Sequence, residues 1–379
     1  MEELIDVPAG LHNVAVTDTV IGDVRGDEGF YHYRQYDATD LARNVTLEDV
    51  WHLFETGALP TDGEREHFRA GIAAMRTVPA DLHELVDVVA RIHDTPLAKL
   101  RTVLSASAGV TDVGPMLDVA REQRIVDARR LAAMVPAVLA RLHRRGAGEE
   151  LVTPDLSLGH AAAYLHDVTG VVPPPEHARA LEQYLILTID HGFNASTFTG
   201  RVVASTGASI VDVVCAAIGA LAGPLHGGAP SRALDALDAI GTPDRAADWV
   251  RGEVIAGRRI MGFGHAVYRT TDPRSSLLRD VARELGGELV ERAMAIESEI
   301  LATLAELKPD RPLPSNVEFY AGVIMAAVGL PREMFTPTFA VSRTIGWCAH
   351  AVEQAAAAKL IRPSARYVGP SPQHVALTR

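Results

Sequence analysis

The sequence predicts a mainly α, multi-helical protein with a small β element at its N-terminus. After residue 40, apolar residues recur at helical spacing almost to the end of the chain. The periodic segments begin at capping residues or prolines and are separated by Gly- and Pro-containing breaks. With 379 residues, of which 47% are hydrophobic and 22% charged, the chain is large enough to bury an extensive core.

The N-terminal β element is predicted from residues 14–24 and 29–36, which are rich in Val, Thr and Tyr. Glycine and aspartate lie between these two segments, at 26–29. This pattern is typical of one or two short strands in a hairpin.

The starts of several helices can be placed from capping residues. The patterns at 46–49 and 61–64 resemble capping boxes, in which a side chain three residues into the helix binds back to the cap. Thr95 and Pro96 provide a cap and a proline at the first helical position. Gly109 is expected to end that helix.

Periodicity predicts further helices, with a break in the first of them at Pro136. Residues after 363 lose periodicity and are expected to form an extended tail. The predicted helices span residues 127–145, 176–190, 209–222, 231–240, 275–285, 287–307 and 338–360.

Charge and hydropathy exclude several classes of partner. The net charge is −12 and there is no long basic run, which argues against nucleic acid or an anionic membrane as the main partner. Residues 1–10 do not resemble a signal peptide. The longest apolar run, 210–225, contains Asp212 and is interrupted by Gly223 and Pro224, so a membrane span is not expected. We therefore expect a cytoplasmic protein.

Three histidines lie in Gly-rich segments, where a ligand or the backbone can approach closely. They are His191 in the segment 190–197, His226 in 223–229 and His265 in 261–269. A metal site is the main competing use for three histidines, but these are far apart and show no HExxH or HxH spacing, so no metal is expected. The other twelve histidines fit helix surfaces or boundaries and are assigned no role.

Four arginines are candidates for anion binding: Arg269, Arg274, Arg343 and Arg362. Arg343 and Arg362 are next to apolar sequence, and a buried arginine needs an anion. Planar, bidentate guanidinium groups suit a dicarboxylate. Surface salt bridges are the alternative for each of them.

Several ordered segments together resemble the signature segments of the citrate synthase family. The resemblance covers nearly the whole chain and is closest to the compact dimeric members. It implies a two-domain citrate-synthase-like fold, with a large dimer-forming helical domain at 1–221 and 331–379 and a small domain at 222–330 that closes over the active site. The matching segments are residues 33–37, 190–201, 223–229, 262–274, 316–322, 342–343 and 361–367.

The resemblance also implies a condensation of acetyl-CoA with oxaloacetate, with CoA as substrate and product, no tightly bound cofactor, and active sites completed across a homodimer. Its catalytic residues would be His226, which binds the thioester carbonyl, His265, which acts on the oxo group, and Glu318, which removes a methyl proton. The remaining implied site residues are His191, Arg274, Arg343 and Arg362 for oxaloacetate, the last from the other subunit, and Arg258, Arg259, Gly262, Gly264 and Arg269 for CoA.

Two positions depart from the family pattern. Glu318 stands where the base is usually Asp, and Gln35 where many relatives carry Gly. The longer side chain at 318 leaves open full activity, a slower or specialised paralogue, or a different acyl group. The alternatives to a citrate synthase are therefore a 2-methylcitrate synthase that uses propionyl-CoA, a non-catalytic protein that binds CoA or an oxo-acid, and a scaffold that keeps only the fold.

Overall fold

The computed structural model describes residues 4–372, with gaps at 225, 227–228, 266 and 269–270, and it describes only the backbone at 229–231. This part of the chain contains sixteen α-helices and one three-stranded sheet, which confirms the mainly α prediction. The helices are α1 Ala38–Asn44, α2 Leu47–Thr56, α3 Asp62–Met75, α4 His83–Ala90, α5 Pro96–Thr111, α6 Arg121–Ala147, α7 His160–Thr169, α8 Pro175–Thr188, α9 Ala195–Ala204, α10 Ile210–Leu221, α11 Ala229–Ile240, α12 Ala246–Ile255, α13 Pro273–Leu285, α14 Glu288–Leu307, α15 Val317–Ala327 and α16 Phe335–Ala357.

The sheet is an antiparallel meander of β1 (Gly22–Arg25), β2 (Phe30–Tyr33) and β3 (Tyr36–Asp37). The predicted hairpin is therefore confirmed, but the strand prediction is wrong for residues 14–21, which have no neighbouring strand to pair with. The sheet lies against α8, because the hydroxyls of its buried tyrosines donate to carbonyls at the end of that helix.

The capping predictions describe the helix starts well. Asp49 and the cap residue Thr46 form a reciprocal capping box on α2, and Glu64 accepts from the backbone of the residue that caps α3. Thr95 accepts from the third residue of α5 at 3.3 Å. The predicted end of α5 is wrong: the helix continues past Gly109 and ends where Asp112 adopts a left-handed conformation.

The predicted break at Pro136 is also wrong, because α6 runs through it for 27 residues. Proline inside a helix costs about 3 kcal/mol. That cost is offset by burial, since Pro136 and most of its neighbours on α6 are enclosed by α4, α5, α7 and α16. Tertiary packing overrides the local signal here.

The last helix, α16, packs against seven other helices, α2, α5, α6, α8, α9, α10 and α11. Nearly all its residues from Phe335 to Val352 are buried, including the polar Ser342, Arg343 and His350. Polar groups buried this deeply need partners, so α16 is a candidate for more than packing. None of the described helices combines the length and apolar character needed to cross a membrane.

Candidate active site

A cavity of about 850 Å³ brings together the two histidines and the one carboxylate predicted to be catalytic. His226, His265 and Glu318 all line it, although they come from different parts of the sequence. Four residues predicted to bind CoA also line the cavity: Arg258, Arg259, Gly262 and Gly264. The convergence of these residues is observed, whereas their roles remain predictions.

Two loops are joined at the cavity wall by backbone hydrogen bonds. Asn316 N donates to Gly262 O at 2.8 Å, and Gly264 N donates to Pro314 O at 2.7 Å. The Asn316 side chain adds a bond to Gly264 O at 2.8 Å. His265 and Glu318 follow directly after these two bridged segments, so the bridge fixes the distance between their backbones.

Gly262 and Gly264 are needed for this bridge as well as for the cavity. Both have positive φ, 86° and 78°, a region that side chains other than glycine disfavour. A Cβ at Gly264 would lie 2.9 Å from the Leu313 side chain, and one at Gly262 would lie 3.1 Å from Phe319 Cβ. The two glycines therefore have a backbone role beside the predicted role in CoA binding.

Glu318 lies in the first turn of α15, which Asn316 caps through a bond from Glu318 N to Asn316 Oδ1 at 3.0 Å. Within the described part of the chain, nothing donates a hydrogen bond to its carboxylate. Burial raises the pKa of Glu318 to about 7, with Asp272 adding to the rise while Arg274 and Arg232 oppose it. A carboxylate with a pKa near neutrality is suited to proton transfer.

His226 is held by Ser196 at the start of α9. Ser196 N donates to His226 Nε2 at 3.3 Å, and Ser196 Oγ lies 2.8 Å from the same nitrogen. Because Nε2 accepts from the backbone, the neutral ring carries its proton on Nδ1. Burial and then Arg343 lower the pKa of His226 to about 4, so the ring is a neutral donor at pH 7.

His265 faces hydrogen-bond donors at both ring nitrogens. Val267 N and Tyr268 N donate to its Nδ1 at 2.9 and 3.1 Å, and Arg274 Nη2, which can only donate, lies 3.1 Å from its Nε2. These contacts therefore fix the ring in place but do not select one tautomer. Burial and then Arg274 lower the pKa of His265 to about 4, so this ring is also neutral at pH 7.

Arg274 forms a buried side-on pair with Asp272, through Nε–Oδ1 at 3.0 Å and Nη2–Oδ2 at 2.9 Å. Asp272 Oδ2 also accepts from Val317 N, at the start of α15, at 3.2 Å. One carboxylate therefore connects the predicted oxo-acid arginine to the helix that carries Glu318. Sequence reasoning assigned no role to Asp272, although it lies two residues before Arg274.

His191 and Arg343 complete the buried region beside this pair. His191 Nε2 lies 2.9 Å from Tyr268 Oη, and its ring centroid is 5.8 Å from that of His265. Arg343, only 2% exposed, donates from Nε to Thr188 O at 2.8 Å. Among the described residues, no carboxylate forms an ion pair with Arg343, so its charge is available for an anion.

Four of the described residues predicted to bind oxaloacetate do not line the cavity: His191, Arg274 and Arg343, which lie in the buried region beside it, and Arg362. Arg362 is exposed in the segment after α16 and does not line the cavity, which leaves its predicted contribution to a second subunit untested. Arg269, predicted to contact CoA, lies outside the described residues.

The cavity also contains basic residues that sequence reasoning missed: Arg232, Lys308 and Arg311. Arg232 comes from α11, whereas Lys308 and Arg311 follow α14, so only the fold places all three beside Arg258 and Arg259. Together these five side chains form a positively charged wall suited to phosphate groups.

The assignment of the twelve remaining histidines to helix surfaces or boundaries is wrong for His350, which is 2% exposed, whereas the buried His160 does lie at a boundary, as the first residue of α7. His350 lies inside α16, and its Nε2 is 3.0 Å from Asp190 Oδ1, next to His191. Helical periodicity placed His350 in a helix. Its burial could not be predicted, because its polar partners come from other elements of the fold. Among the described residues, no group of three or more His, Cys, Asp or Glu side chains is arranged to hold a metal ion.

The chain is similar to known proteins over nearly its whole length. The family model for the citrate synthase C-terminal domain matches residues 10–364. The chain is 37% identical over 371 residues to a citrate synthase of Haloferax volcanii, with 96% of each chain covered. It is 34% identical to a 2-methylcitrate synthase of Shewanella oneidensis, covering 97% of this chain and 96% of that one.

Solved structures show the same fold. A citrate synthase of Pyrobaculum aerophilum has a TM-score of 0.87 at 33% identity, covering 99% of both chains. A Thermoplasma acidophilum citrate synthase, solved as a ternary complex with carboxymethyl-CoA and oxaloacetate, has a TM-score of 0.90 at 27% identity, covering 98% of this chain and 99% of that one. From the family match over nearly its full length and from these relatives, the chain belongs to the citrate synthase family.

Proposed function

We propose that the protein condenses acetyl-CoA with oxaloacetate and water to give citrate and CoA. The observation that carries this proposal is one cavity lined by a neutral histidine donor, a second neutral histidine and a half-buried carboxylate with a pKa near 7. These are the groups that deprotonation of a thioester methyl and attack on an oxo group require.

The first step is enolisation of the thioester. Glu318 takes a proton from the acetyl methyl while Nδ1–H of His226 binds the carbonyl oxygen that becomes the enol oxygen. A carboxylate alone is too weak a base for this carbon acid, so a fixed donor must stabilise the developing charge at the same time. The neutral state of His226 makes it a donor that needs no change of protonation.

The second step forms the carbon–carbon bond. The enol carbon attacks the oxo carbon of oxaloacetate, and the oxo oxygen gains a proton from the side of His265. Arg274 and Arg343, with His191, are the proposed groups that bind the two carboxylates. Water then cleaves the C–S bond of the citryl thioester and releases CoA as the thiol.

The charged wall of the cavity supports the same substrate class. Arg258 and Arg259, with the newly found Arg232, Lys308 and Arg311, are proposed to bind the phosphates of CoA. We extend the CoA proposal to Arg269 on the resemblance alone.

Domain closure and dimerisation are part of the proposal. The segment 222–330 is inferred to form a small domain that closes over the cavity, since condensation must exclude water. Arg362, exposed in this single chain, is inferred to reach the oxaloacetate site of a second subunit in a homodimer. Sedimentation measurements and an Arg362→Ala variant test this, with a monomeric active enzyme as the contradicting result.

The decisive experiment measures thiol release from acetyl-CoA with and without oxaloacetate. We expect release only when both substrates are present. If calorimetry shows that both ligands bind but no thiol appears, the non-catalytic alternative is favoured instead.

A second candidate function is 2-methylcitrate synthesis from propionyl-CoA. It is favoured by the 2-methylcitrate synthases among the relatives, at 34% and 36% identity, which is close to the identity of the citrate synthases. Comparing kcat/KM for acetyl-CoA and propionyl-CoA separates the two, and a preference for propionyl-CoA would replace the first proposal.

A further inference from the structure

One face of α16 carries four polar or aromatic residues at helical spacing: Arg343, Trp347, His350 and Gln354. This face approaches the chain just before His191 very closely. A Cβ at Gly346 would lie 2.1 Å from Ile189 O, so no side chain fits between the two backbones. The register of α16 against the His191 segment is therefore fixed by backbone contact.

His350 has a defined orientation and tautomer because its partner cannot accept a hydrogen bond. Arg201 donates to His350 Nδ1 from Nε at 3.0 Å and lies 2.8 Å away through Nη2. Arginine is donor-only, so Nδ1 is the acceptor and the ring proton lies on Nε2. That proton is donated to Asp190 Oδ1 at 3.0 Å.

Asp190 holds the peptide that carries His191 from both sides. Its Oδ1 accepts from His350, and its Oδ2 accepts from Gly192 N at 3.1 Å. Gly192 has a φ of 61°, and a Cβ there would lie 3.3 Å from Val24 of the sheet. His191 therefore sits in a tight turn closed by the Asp190 carboxylate.

Trp347, one turn before His350, contacts the segment that holds His226. Its Nε1 donates to Ser196 Oγ at 3.2 Å. The same Ser196 bonds His226 through its backbone N–H and its hydroxyl. Trp347 is 1% exposed, so this bond has no competition from water.

We propose that this face of α16 positions the two halves of the active site separately, with His350 fixing His191 on the oxo-acid side and Trp347 fixing His226 on the thioester side. The inference rests on the proposed function. Both are positioning residues, since each acts through another side chain and neither lines the cavity.

The outer end of the network supports a fixed His350. Arg201, 1% exposed, also bonds Gln354 Oε1 at 3.1 Å, Thr19 Oγ1 at 3.2 Å and the carboxylate of Glu353. The charge of Arg201 is thus balanced without His350. His350 accepts from Arg201 and donates its own proton to Asp190. A merely structural network would affect stability but would not distinguish the two substrates.

The test compares His350→Phe, His350→Gln and Trp347→Phe. For each we would measure the oxaloacetate Kd by calorimetry, KM for both substrates, kcat, and the melting temperature. His350→Phe should raise the oxaloacetate Kd about ten- to hundredfold, as loss of a supporting hydrogen bond or misplacement by about 1 Å does elsewhere. KM for acetyl-CoA should change less than about twofold.

His350→Gln keeps an acceptor for Arg201 and a donor for Asp190, so it should recover part of the lost oxaloacetate affinity. Trp347→Phe should lower kcat about tenfold or more and leave the oxaloacetate Kd unchanged, because it removes the Ser196 bond on the thioester side while keeping an aromatic ring in the core. We therefore expect the His350 variants to weaken oxaloacetate binding and Trp347→Phe to lower kcat, with neither showing the effect of the other.

Equal effects on both substrates, or lower melting temperature with unchanged substrate constants, would overturn the positioning roles. If His350→Phe does not fold, His350→Gln and Trp347→Phe must still show the opposite pattern, and its absence overturns the inference. Wild-type thiol release is measured first, since its absence contradicts the proposed function instead of the positioning roles.

Discussion

The two halves of the candidate site differ in how fully their charged groups are already paired. On the oxo-acid side, Arg274 is bound side-on to Asp272, and Asp190 is bound to His350 and to Gly192 N. On the thioester side, no described donor bonds the Glu318 carboxylate, and burial alone is the largest influence on its pKa. Hydrogen bonds thus hold the charged groups of the oxo-acid side in place, whereas on the thioester side burial raises the pKa of the carboxylate.

This difference fits the different demands of the two substrates. A dicarboxylate must be bound by cations held in place, which requires carboxylates and backbone carbonyls around the arginines. A base for a carbon acid must remain free of strong donors, because each donor would stabilise its charged form and weaken it. The two halves should therefore respond differently to substitution.

The largest expected effect comes from Glu318→Gln. Removing the base while keeping the shape of the side chain should lower kcat for thiol release about 10²- to 10⁴-fold, the usual contribution of a positioned base. Binding of CoA, followed by calorimetry, should be nearly unchanged. Full activity in this variant would show that another group is the base.

Glu318→Asp is the matched control for that variant. The carboxylate is kept but moves back by about one carbon–carbon bond, and an error of about 1 Å can cost on the order of a hundredfold in rate. We expect activity between those of the wild type and Glu318→Gln. Wild-type activity in Glu318→Asp would mean that proton transfer does not require the longer side chain at this position.

Matched substitutions of the two buried arginines should separate stability from binding. Arg274→Gln leaves the buried Asp272 carboxylate without its main partner, which should lower the free energy of unfolding by about 3–5 kcal/mol. Arg343→Gln breaks no ion pair among the described residues, so we expect a loss of oxaloacetate affinity with little change in stability. Chemical denaturation and oxaloacetate titration of both variants measure this.

Equal destabilisation by the two substitutions would contradict the distinction drawn between a paired and an available arginine. Arg274→Lys and Arg343→Lys are useful controls because they keep the charge. Neither lysine reproduces the planar fork, so both should bind oxaloacetate more weakly than the wild type.

The pH dependence should report Glu318 alone. Its pKa of about 7 means that kcat/KM for acetyl-CoA should fall as pH drops through about 7, since the base becomes protonated. The pKa values of His226 and His265, both about 4, keep these rings neutral throughout that range. An acid limb with an apparent pKa near 4 or 5 would contradict the assignment.

The titration of Glu318 should also affect the free energy of unfolding, which should fall as pH rises, whereas activity should increase. The folded-state pKa of Glu318, about 7, exceeds its ordinary value of 4.5, so the folded state binds more protons between these values. The free energy of unfolding should therefore fall by up to about 3 kcal/mol as pH rises from about 4.5 to 7. Glu318→Gln should lack this component, and denaturation at both pH values measures the difference.

Sequence reasoning predicted those parts of the fold and site that depend on local signals. Thr46 and Thr95 mark helix starts because a cap needs only the neighbouring backbone. Family motifs identified the three side chains that meet in the cavity. The prediction failed where distant packing decides: Pro136 is accommodated inside α6 by the helices around it.

Several helices were not predicted, and α15 shows one reason. α15 is apolar almost throughout its length, so its periodicity carries little signal. The buried hydrogen bonds of His350 and Trp347 could not be predicted either, since their partners Asp190, Arg201 and Ser196 lie about 150 residues away. Only the folded chain shows which buried polar groups meet.

The smallest expected effect concerns the charged wall of the cavity, where paired and unpaired arginines are neighbours. Arg258 is bound to Glu253 at 2.6 and 2.8 Å, whereas Arg259 has no ion pair among the described residues. Arg259→Gln should therefore raise KM for acetyl-CoA several-fold, on the order of 1 kcal/mol, and make it less sensitive to salt.

Arg258→Gln should have a smaller effect on KM, because its guanidinium is already engaged by a carboxylate and contributes little net charge to the wall. Steady-state kinetics at low and at high ionic strength test both variants. An equal rise in KM would mean that Glu253 releases Arg258 when CoA binds. Arg343, on the oxo-acid side, is only 2% exposed. Oxaloacetate binding there should therefore respond less to salt than CoA binding at this exposed wall.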